Sequence, residues 1–157
     1  MKKISFDTGV QEFSVNGHAL RFNPSDPNVY HRFFDAQHRI EQLGDEYIAK
    51  LSQGAAQAEN TAVSADGFSA EKSLGFLREI DQKVKEQLQY VFGGANDFDV
   101  IFDGVNLMAP NRAGHMVITD FFDAMEPIIR EGFECYVESQ KAGALQAAQQ
   151  ARAARGE

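Results

Sequence analysis

His31, Asp35 and His38 are the side chains in this chain whose types and spacing best suit the binding of a metal ion. Their intervals of four and three residues would place them on one face of a helix, where imidazole and carboxylate groups can hold a transition metal. Metal sites in helical bundles also take ligands from a second helix, and no matching motif occurs elsewhere in the sequence. We interpret this face as solvated polar surface and keep a metal-dependent helical enzyme as an alternative function.

Asp97, Asp99 and Asp103 form a second group of carboxylates, whose spacing at first sight resembles that of a calcium-binding loop. Ile101, however, stands where an EF-hand requires a polar ligand, and Gly104 is displaced from the position that such a loop requires. The nearby Gly-Gly pair lacks the Lys-Ser/Thr that follows the glycines of a phosphate-binding loop. The sequence therefore predicts turn-forming aspartates, and neither a calcium nor a nucleotide site.

Candidates for nucleophilic or acid–base catalysis are few. The single cysteine, Cys135, falls within an apolar helical pattern, which predicts a small core residue. Glu12, Glu131 and Glu134 occur in no context that marks a catalytic carboxylate. We predict no catalytic residue, no cofactor and no metal, and hence a protein that is not an enzyme.

Composition and charge narrow the class of protein further. The formal net charge of -8 argues against nucleic-acid binding, which depends on clustered Lys and Arg. No stretch approaches the ~20 apolar residues of a membrane span, and the first residues lack the apolar run of a signal peptide. A lone cysteine fits a reducing compartment. We expect a single domain over residues 1–157, located in the cytosol and without nucleic-acid or membrane binding.

The elements that position these residues follow from periodicity. Residues 1–24 predict an antiparallel β-hairpin, because apolar and polar residues alternate on both sides of the turn-forming pair Asn16-Gly17. Ile4 to Phe6 is a candidate third strand. Residues 25–139 predict a helical body, so the expected fold class is α+β and mostly α-helical.

Three main helices are expected in that body. The first begins at Pro27 with Asp26 as its N-cap, the second follows Ser69, and the third runs from about His115 to Ser139. The apolar face of the first helix consists of Val29, Phe33, Ala36, Ile40, Leu43, Tyr47 and Leu51. That of the second consists of Leu74, Leu77, Ile80, Val84, Leu88 and Val91.

Three segments connect or extend these helices. Residues 53–68 are rich in Ala and Gln and predict a mobile linker. The connector, Phe92–Pro110, combines many apolar residues with glycines and turn-forming Asn and Asp, so we expect it to be folded and packed. Residues 140–157 predict an Ala/Gln-rich tail that is helical in part and frayed at its end.

Thirteen phenylalanines in a chain of this size raise the question of whether one core buries them all. The alternatives are a compact monomeric core and association through apolar helix faces, and periodicity does not choose between them. The residues that we expect in either the core or an oligomer or partner interface are Phe33, Ile40, Phe121, Phe122 and Ile129.

Two segments carry a resemblance to a known family. In RFNPSDPNVYHRFFDAQHRIEQL, a strand passes through an Asn-Pro-Ser-Asp-Pro-Asn turn into a helix. YVFGGANDFDVIFDGVNLMAPNRAGHMVITDFFDAMEPIIREGF contains a Phe-Gly turn, an Ile-Phe-Asp-Gly stretch and an Asp-Phe-Phe-x-Ala-x-x-Pro-Ile-Ile helix, in that order. They resemble the N-terminal and C-terminal halves of the tail assembly chaperones of long-tailed, siphovirus-type bacteriophages and prophages. The two segments together contain 67 of the 157 residues, and the motifs in them are structural.

The resemblance implies a non-enzymatic assembly factor that binds the tape measure protein in the host cytoplasm and keeps its apolar segments soluble. Such chaperones help to recruit tail tube subunits and are absent from the mature virion. In many relatives a ribosomal frameshift adds a second domain that reaches the tail tube protein. The expected partners are therefore the tape measure protein, the tail tube protein and further copies of this chain. An alternative of another class is a small acidic adaptor or inhibitor that binds a host protein.

Overall fold

The computed structural model describes residues 1–60 and 65–156, and within them the side chains of residues 1–50, 52 and 74–156. Two strands precede the helices in this part of the chain. The elements are β1 (Gln11–Val15), β2 (His18–Phe22), α1 (Pro27–Asn60), α2 (Ala65–Phe92), α3 (Phe98–Ile101) and α4 (Val117–Ala154). The predicted α+β, mostly helical fold class is confirmed.

The β-hairpin forms where the sequence predicts it. β1 and β2 pair antiparallel with Phe13 opposite Leu20, and Asn16-Gly17 makes the turn. The two turn residues have φ values of 50° and 89°, which a two-residue turn matched to the strand twist requires. Leu20 and Phe22 are buried on the face that meets the helices.

The predicted third strand at Ile4 to Phe6 is wrong. Residues 1–10 have no regular secondary structure, and the side chains of Ile4 and Phe6 are 85% and 78% exposed. Alternating apolar residues favour a strand only where a neighbouring edge accepts their backbone hydrogen bonds. Within the described residues, the sheet contains only β1 and β2.

α1 begins at the predicted cap and extends beyond its predicted end. The Asp26 carboxylate accepts a hydrogen bond from the Asn28 amide at 2.9 Å, which satisfies a free N–H of the first turn. Helix occupies residues 53–60 and 65–68, where the sequence predicts a linker, while residues 61–64 lie outside the described part. Ala, Gln and Glu continue a helix well once it has formed, so the loss of large apolar residues does not end it.

α1 lies at the centre of the helical body, in contact with both α2 and α4. The predicted face of α1 is buried from Val29 to Ile40, and that of α2 from Ile80 to Val91, but Leu74 is 64% exposed. The buried apolar residues form one cluster: Leu20, Phe22, Val29, Phe33, Ala36, Ile40, Ile80, Val84, Leu88, Val91, Phe92, Phe98, Ile101, Phe102, Leu107, Met108, Ile118, Phe121, Phe122, Met125 and Ile129.

α4 contributes to this core only through its first half. Its last buried residue is Gly132, and residues 138–154 are exposed although they continue the helix. The tail predicted to be partly frayed is thus helical up to Ala154. Gly132 packs closely against the turn before α1. A Cβ atom at this position would overlap the carbonyl group of Pro24.

We predict that Gly132→Ala destabilises the protein by about 1–3 kcal/mol, since the added methyl group would push α4 away from Pro24. Gly143→Ala is the matched control on the same helix, because nothing lies within 4 Å of its Cβ position. Alanine favours helix over glycine, so the control should gain up to about 1 kcal/mol. Urea unfolding followed by circular dichroism measures both changes, and equal effects would contradict close packing at Gly132.

Candidate functional site

The connector, Phe92–Pro110, is packed as the sequence predicts. Its buried apolar residues are Phe92, Phe98, Ile101, Phe102, Leu107 and Met108. Val100 and Val105, which face outward, are 55% and 42% exposed. α3 forms within the connector as a single helical turn, which the sequence did not indicate.

Asn96 joins the connector to the β-hairpin. Its side-chain oxygen accepts a hydrogen bond from the Arg21 amide at 2.8 Å, and its side-chain nitrogen donates to the Arg21 carbonyl at 2.8 Å. The same nitrogen lies 3.1 Å from the Gly93 carbonyl oxygen at the end of α2. Asn96 is only 7% exposed, so each of these bonds satisfies a polar group that has limited access to water.

Asp81 joins the other end of the connector to α2. One of its carboxylate oxygens accepts a hydrogen bond from the Leu107 amide at 2.8 Å, and the other lies 2.7 Å from the Lys85 ammonium. Lys85 also contacts Asp99 of α3 at 2.8 Å. The side chains of Asp81 and Lys85 are each 12% exposed, whereas that of Asp99 is 75% exposed. Solvent and salt therefore screen the Lys85–Asp81 pair less than the Lys85–Asp99 pair.

Burial lowers the pKa of Lys85, but hydrogen bonds and opposite charge from Asp81 and Asp99 outweigh it, and the net pKa is raised above 10.5. A raised pKa in the folded state means that the protonated lysine stabilises the fold below pH 10.5. This stabilisation is lost as pH rises through the folded-state pKa. The ion pairs of Lys85 with Asp81 and Asp99 therefore link α2 to α3 throughout the neutral pH range.

The aspartates that resemble a calcium loop bind separate partners inside the chain. Asp97 caps α3 by accepting hydrogen bonds from the amides of Asp99 and Val100. Asp103 lies 2.7 Å from His18 of β2. Because these carboxylates point to different elements, they do not converge on one ion, in agreement with the turn-forming role predicted for them.

His31, Asp35 and His38 do share one face of α1. His31 lies 3.2 Å from Asp35, whereas His38 lies 3.9 Å from Glu41. Both histidines are more than three-quarters exposed, and no second helix brings a ligand to them among the described residues. Throughout that part of the chain, no three His, Cys, Asp or Glu side chains are close enough to hold a metal.

Cys135 is exposed, so the prediction that it is a small core residue is wrong. It lies beyond Gly132, the last buried residue of α4, at a point where Phe133 still stacks on Tyr30 of α1 while Cys135 itself faces solvent. Glu131 and Glu134 are exposed on the same helix, and Glu12 lies 3.6 Å from Arg21 across the hairpin. This arrangement places none of the three carboxylates in an enclosed site.

The five residues predicted for either the core or an interface all lie in the core. Phe33 and Ile129 are fully buried, and Ile40, Phe121 and Phe122 are 7%, 7% and 4% exposed. The rings of Phe33 and Phe122 are 4.9 Å apart, which directly joins α1 to α4. The structure thus favours the core alternative for these residues.

Two of those residues also form the floor of a small cleft between α1 and α4. Ile40 and Phe122 line this cleft, and Gln37, Glu41 and Asp123 form part of its rim. Its volume of about 100 Å³ is well below that of pockets that enclose small-molecule ligands, which are typically ~300–1,000 Å³. The cleft can therefore take a side chain of a partner more readily than a whole small molecule.

A larger groove of about 880 Å³ opens between α2 and α3. Charged side chains of both signs line it, including Arg78, Asp81, Lys85 and Glu86. The groove is open to solvent, and its most buried charges already pair with each other. Its lining is therefore poorly suited to an apolar partner.

Comparisons of the chain with protein-family profiles, curated proteins and solved structures gave no match. Among the described helices, none combines the length and apolar character needed to cross a membrane.

The sequence patterns did not predict the structural roles of Asn96 and Asp81. The only local signal was a polar residue inside an apolar pattern, between Ile80 and Val84 for Asp81 and between Phe92 and Phe98 for Asn96.

We predict that Asn96→Ala costs about 2–4 kcal/mol, because it leaves the Arg21 amide and carbonyl without partners near the core. Asn28→Ala, at an exposed position in the first turn of α1, should change stability by less than about 0.5 kcal/mol. Urea unfolding gives both values. A small effect at Asn96 would show that water readily replaces the amide.

A second prediction compares the two aspartates that bind Lys85. Asp81→Asn should cost about 1.5–3 kcal/mol, because it removes a charge from a poorly exposed pair while keeping an acceptor for Leu107. Asp99→Asn should cost less than about 1 kcal/mol, since that carboxylate is largely exposed. Thermal and urea unfolding at pH 7 measure both, and the reverse order would contradict the role given to Asp81.

Proposed function

We propose that this chain is a tail assembly chaperone of a long-tailed bacteriophage or prophage, with no enzymatic activity. The observation that carries this proposal is the order of structural motifs in the segments 21–43 and 90–133, which resemble that family. The fold is compatible with the resemblance, because these segments pack together through Phe33 and Phe122 and bond through Asn96 and Arg21.

The proposed main partner is the tape measure protein, a long helical protein with apolar segments. Because Phe33 and Ile129 are fully buried, contact with such a partner requires apolar side chains that line a cleft open to the surface. The cleft over Ile40 and Phe122 is such a place, between α1 and α4. An apolar side chain from a partner helix can enter such a groove as an anchor.

The charges around this cleft favour a particular kind of partner segment. Glu41 and Asp123 lie on its rim, and the chain as a whole carries a formal net charge of -8. A helix that presents an apolar anchor flanked by Lys or Arg would complement this surface. The remaining negative charge would keep the complex soluble.

The wider expectations of the resemblance belong to the same proposal. The chaperone would act in the host cytoplasm, associate with further copies of itself and help to recruit tail tube protein, through a frameshifted longer form where one exists. It would leave before the virion is mature. None of these steps requires a cofactor, a metal or a catalytic residue.

Co-expression with a candidate tape measure protein, meaning a long helical protein encoded next to this chain, tests the proposal. That protein should be soluble and co-purify with this chain, and it should aggregate when expressed alone. The proposal fails if its solubility does not depend on this chain. Capture of a host enzyme, without affinity for the helical protein, would instead support the acidic adaptor.

We predict that Gln37→Arg reduces the yield of soluble partner at least about tenfold, because the new guanidinium can pair with Glu41 and Asp123 and cover the cleft. Gln140→Arg, on the exposed end of α4, is the matched control and should behave as wild type. Unchanged urea unfolding of both variants would show that they fold. Full solubilisation by Gln37→Arg would exclude the cleft as the binding site while leaving the chaperone role intact.

A further inference from the structure

Residues 1–10, here called the arm, begin with the pattern of a half-buried strand, but the apolar residues of that pattern are not buried. Ile4 and Phe6 alternate with Lys3, Ser5 and Asp7, yet both apolar side chains are more than three-quarters exposed. Residues before Asp7 make no hydrogen bond to any described residue. An exposed apolar segment with free backbone groups has the chemistry of a strand that lacks a neighbour.

The base of the arm is fixed to the β2 side of the hairpin. Asn23, which follows β2, donates a hydrogen bond to the Thr8 carbonyl at 3.0 Å. Gly9 has a φ of 75° and packs against the Asn23 side chain, and the Asp7 carboxylate accepts a hydrogen bond from its amide. To pair with its own β1, the arm would have to cross back over Gln11. These contacts therefore direct the arm away from the outer edge of its own β1, which is the edge that faces away from β2.

The outer edge of β1 has free backbone groups of its own. The amide and carbonyl of Arg21 bond to Asn96, so they point away from β1, and Arg21 faces Glu12 as a non-hydrogen-bonded pair. By the alternation of an antiparallel ladder, the amide and carbonyl groups of Glu12 and Ser14 point outward, away from β2. No described residue bonds to them, and β2 is the strand that lies against α3.

The side chains at this edge also leave apolar surface uncovered. Phe13 and Val15 lie on the same face of the hairpin as the buried Leu20, but both are only half-buried. A strand added beside β1 could place two alternate apolar residues next to them. Ile4 and Phe6 have that spacing, and the arm is long enough to match a strand of five residues.

We propose that the arm of one copy pairs as a third strand with the outer edge of β1 in a second copy of this chain. Each copy has both the arm and the edge, so the two surfaces are complementary between copies. Two copies can exchange arms with each other, or each copy can place its arm on a further copy. Charge favours the same partner, because Lys2 and Lys3 of the arm would approach Glu12 and an acidic body. The inference does not depend on which protein the chain assists.

Sedimentation and amide hydrogen exchange on the full chain at several concentrations test this pairing. Wild type should associate as concentration rises, and the amides near Ile4, Phe6, Glu12 and Ser14 should become protected in parallel. Ile4→Ser with Phe6→Ser should raise the dissociation constant at least about tenfold, because both side chains lose their apolar burial. These residues are already exposed, so the double variant should unfold like wild type. Leu145→Ser, at a 62% exposed position on α4, should associate normally.

A variant of the edge provides a second test. Ser14→Pro removes an outward-pointing amide and should weaken association, whereas Ser14→Ala should not. The proposal is overturned if wild type is monomeric at every concentration or if the arm variant associates as strongly as wild type. Protection of the arm at all concentrations in a monomer would show instead that it folds back on its own chain.

Discussion

The side-chain amide of Asn96 occupies the place beside β2 where a third strand would otherwise lie. It pairs with both backbone groups of Arg21, and it also approaches the carbonyl oxygens of Phe92 and Gly93, where α2 ends. A strand edge and a helix C-terminus both carry backbone groups without partners, and burying them unpaired is costly. One side chain satisfies groups of both kinds. A two-stranded hairpin is marginal by itself, so its attachment to the helices depends on this contact and on the packing of Phe22.

The same constraint explains why the connector looks like a ligand loop and does not behave as one. A segment that leaves a helix, makes one helical turn and enters another helix has many backbone groups to satisfy. Asp97 accepts hydrogen bonds from backbone amides at the start of α3, and Asp81 accepts one from the Leu107 amide. Asn106 accepts a hydrogen bond from the Met108 amide. Polar residues of these types are common in ion sites, but here their acceptors are directed at the protein's own backbone. The apolar residues between them can then be buried together.

Features with a local cause were predictable from the sequence. Asn16-Gly17 determines the hairpin turn and Asp26-Pro27 determines the start of α1, because each motif acts through its own backbone. Asn96 and Gly132 were missed because their partners, Arg21 and Pro24, are far away in the sequence. The five residues of the candidate interface have a periodicity that identifies a buried face. Whether the chain's own helices or another protein cover that face depends on tertiary packing, which periodicity does not contain.

The errors at the chain's periphery have a common physical origin. Residues 138–154 bury nothing, but the packed half of α4 has already met the cost of helix nucleation, and alanine then propagates the helix. The arm has the opposite balance, because its alternation favours a strand while no edge in its own chain is positioned to accept it. Helical hydrogen bonds form within one segment, whereas strand hydrogen bonds need a second one. A helix can therefore extend into solvent unaided, and the arm can become a strand only by meeting an edge elsewhere.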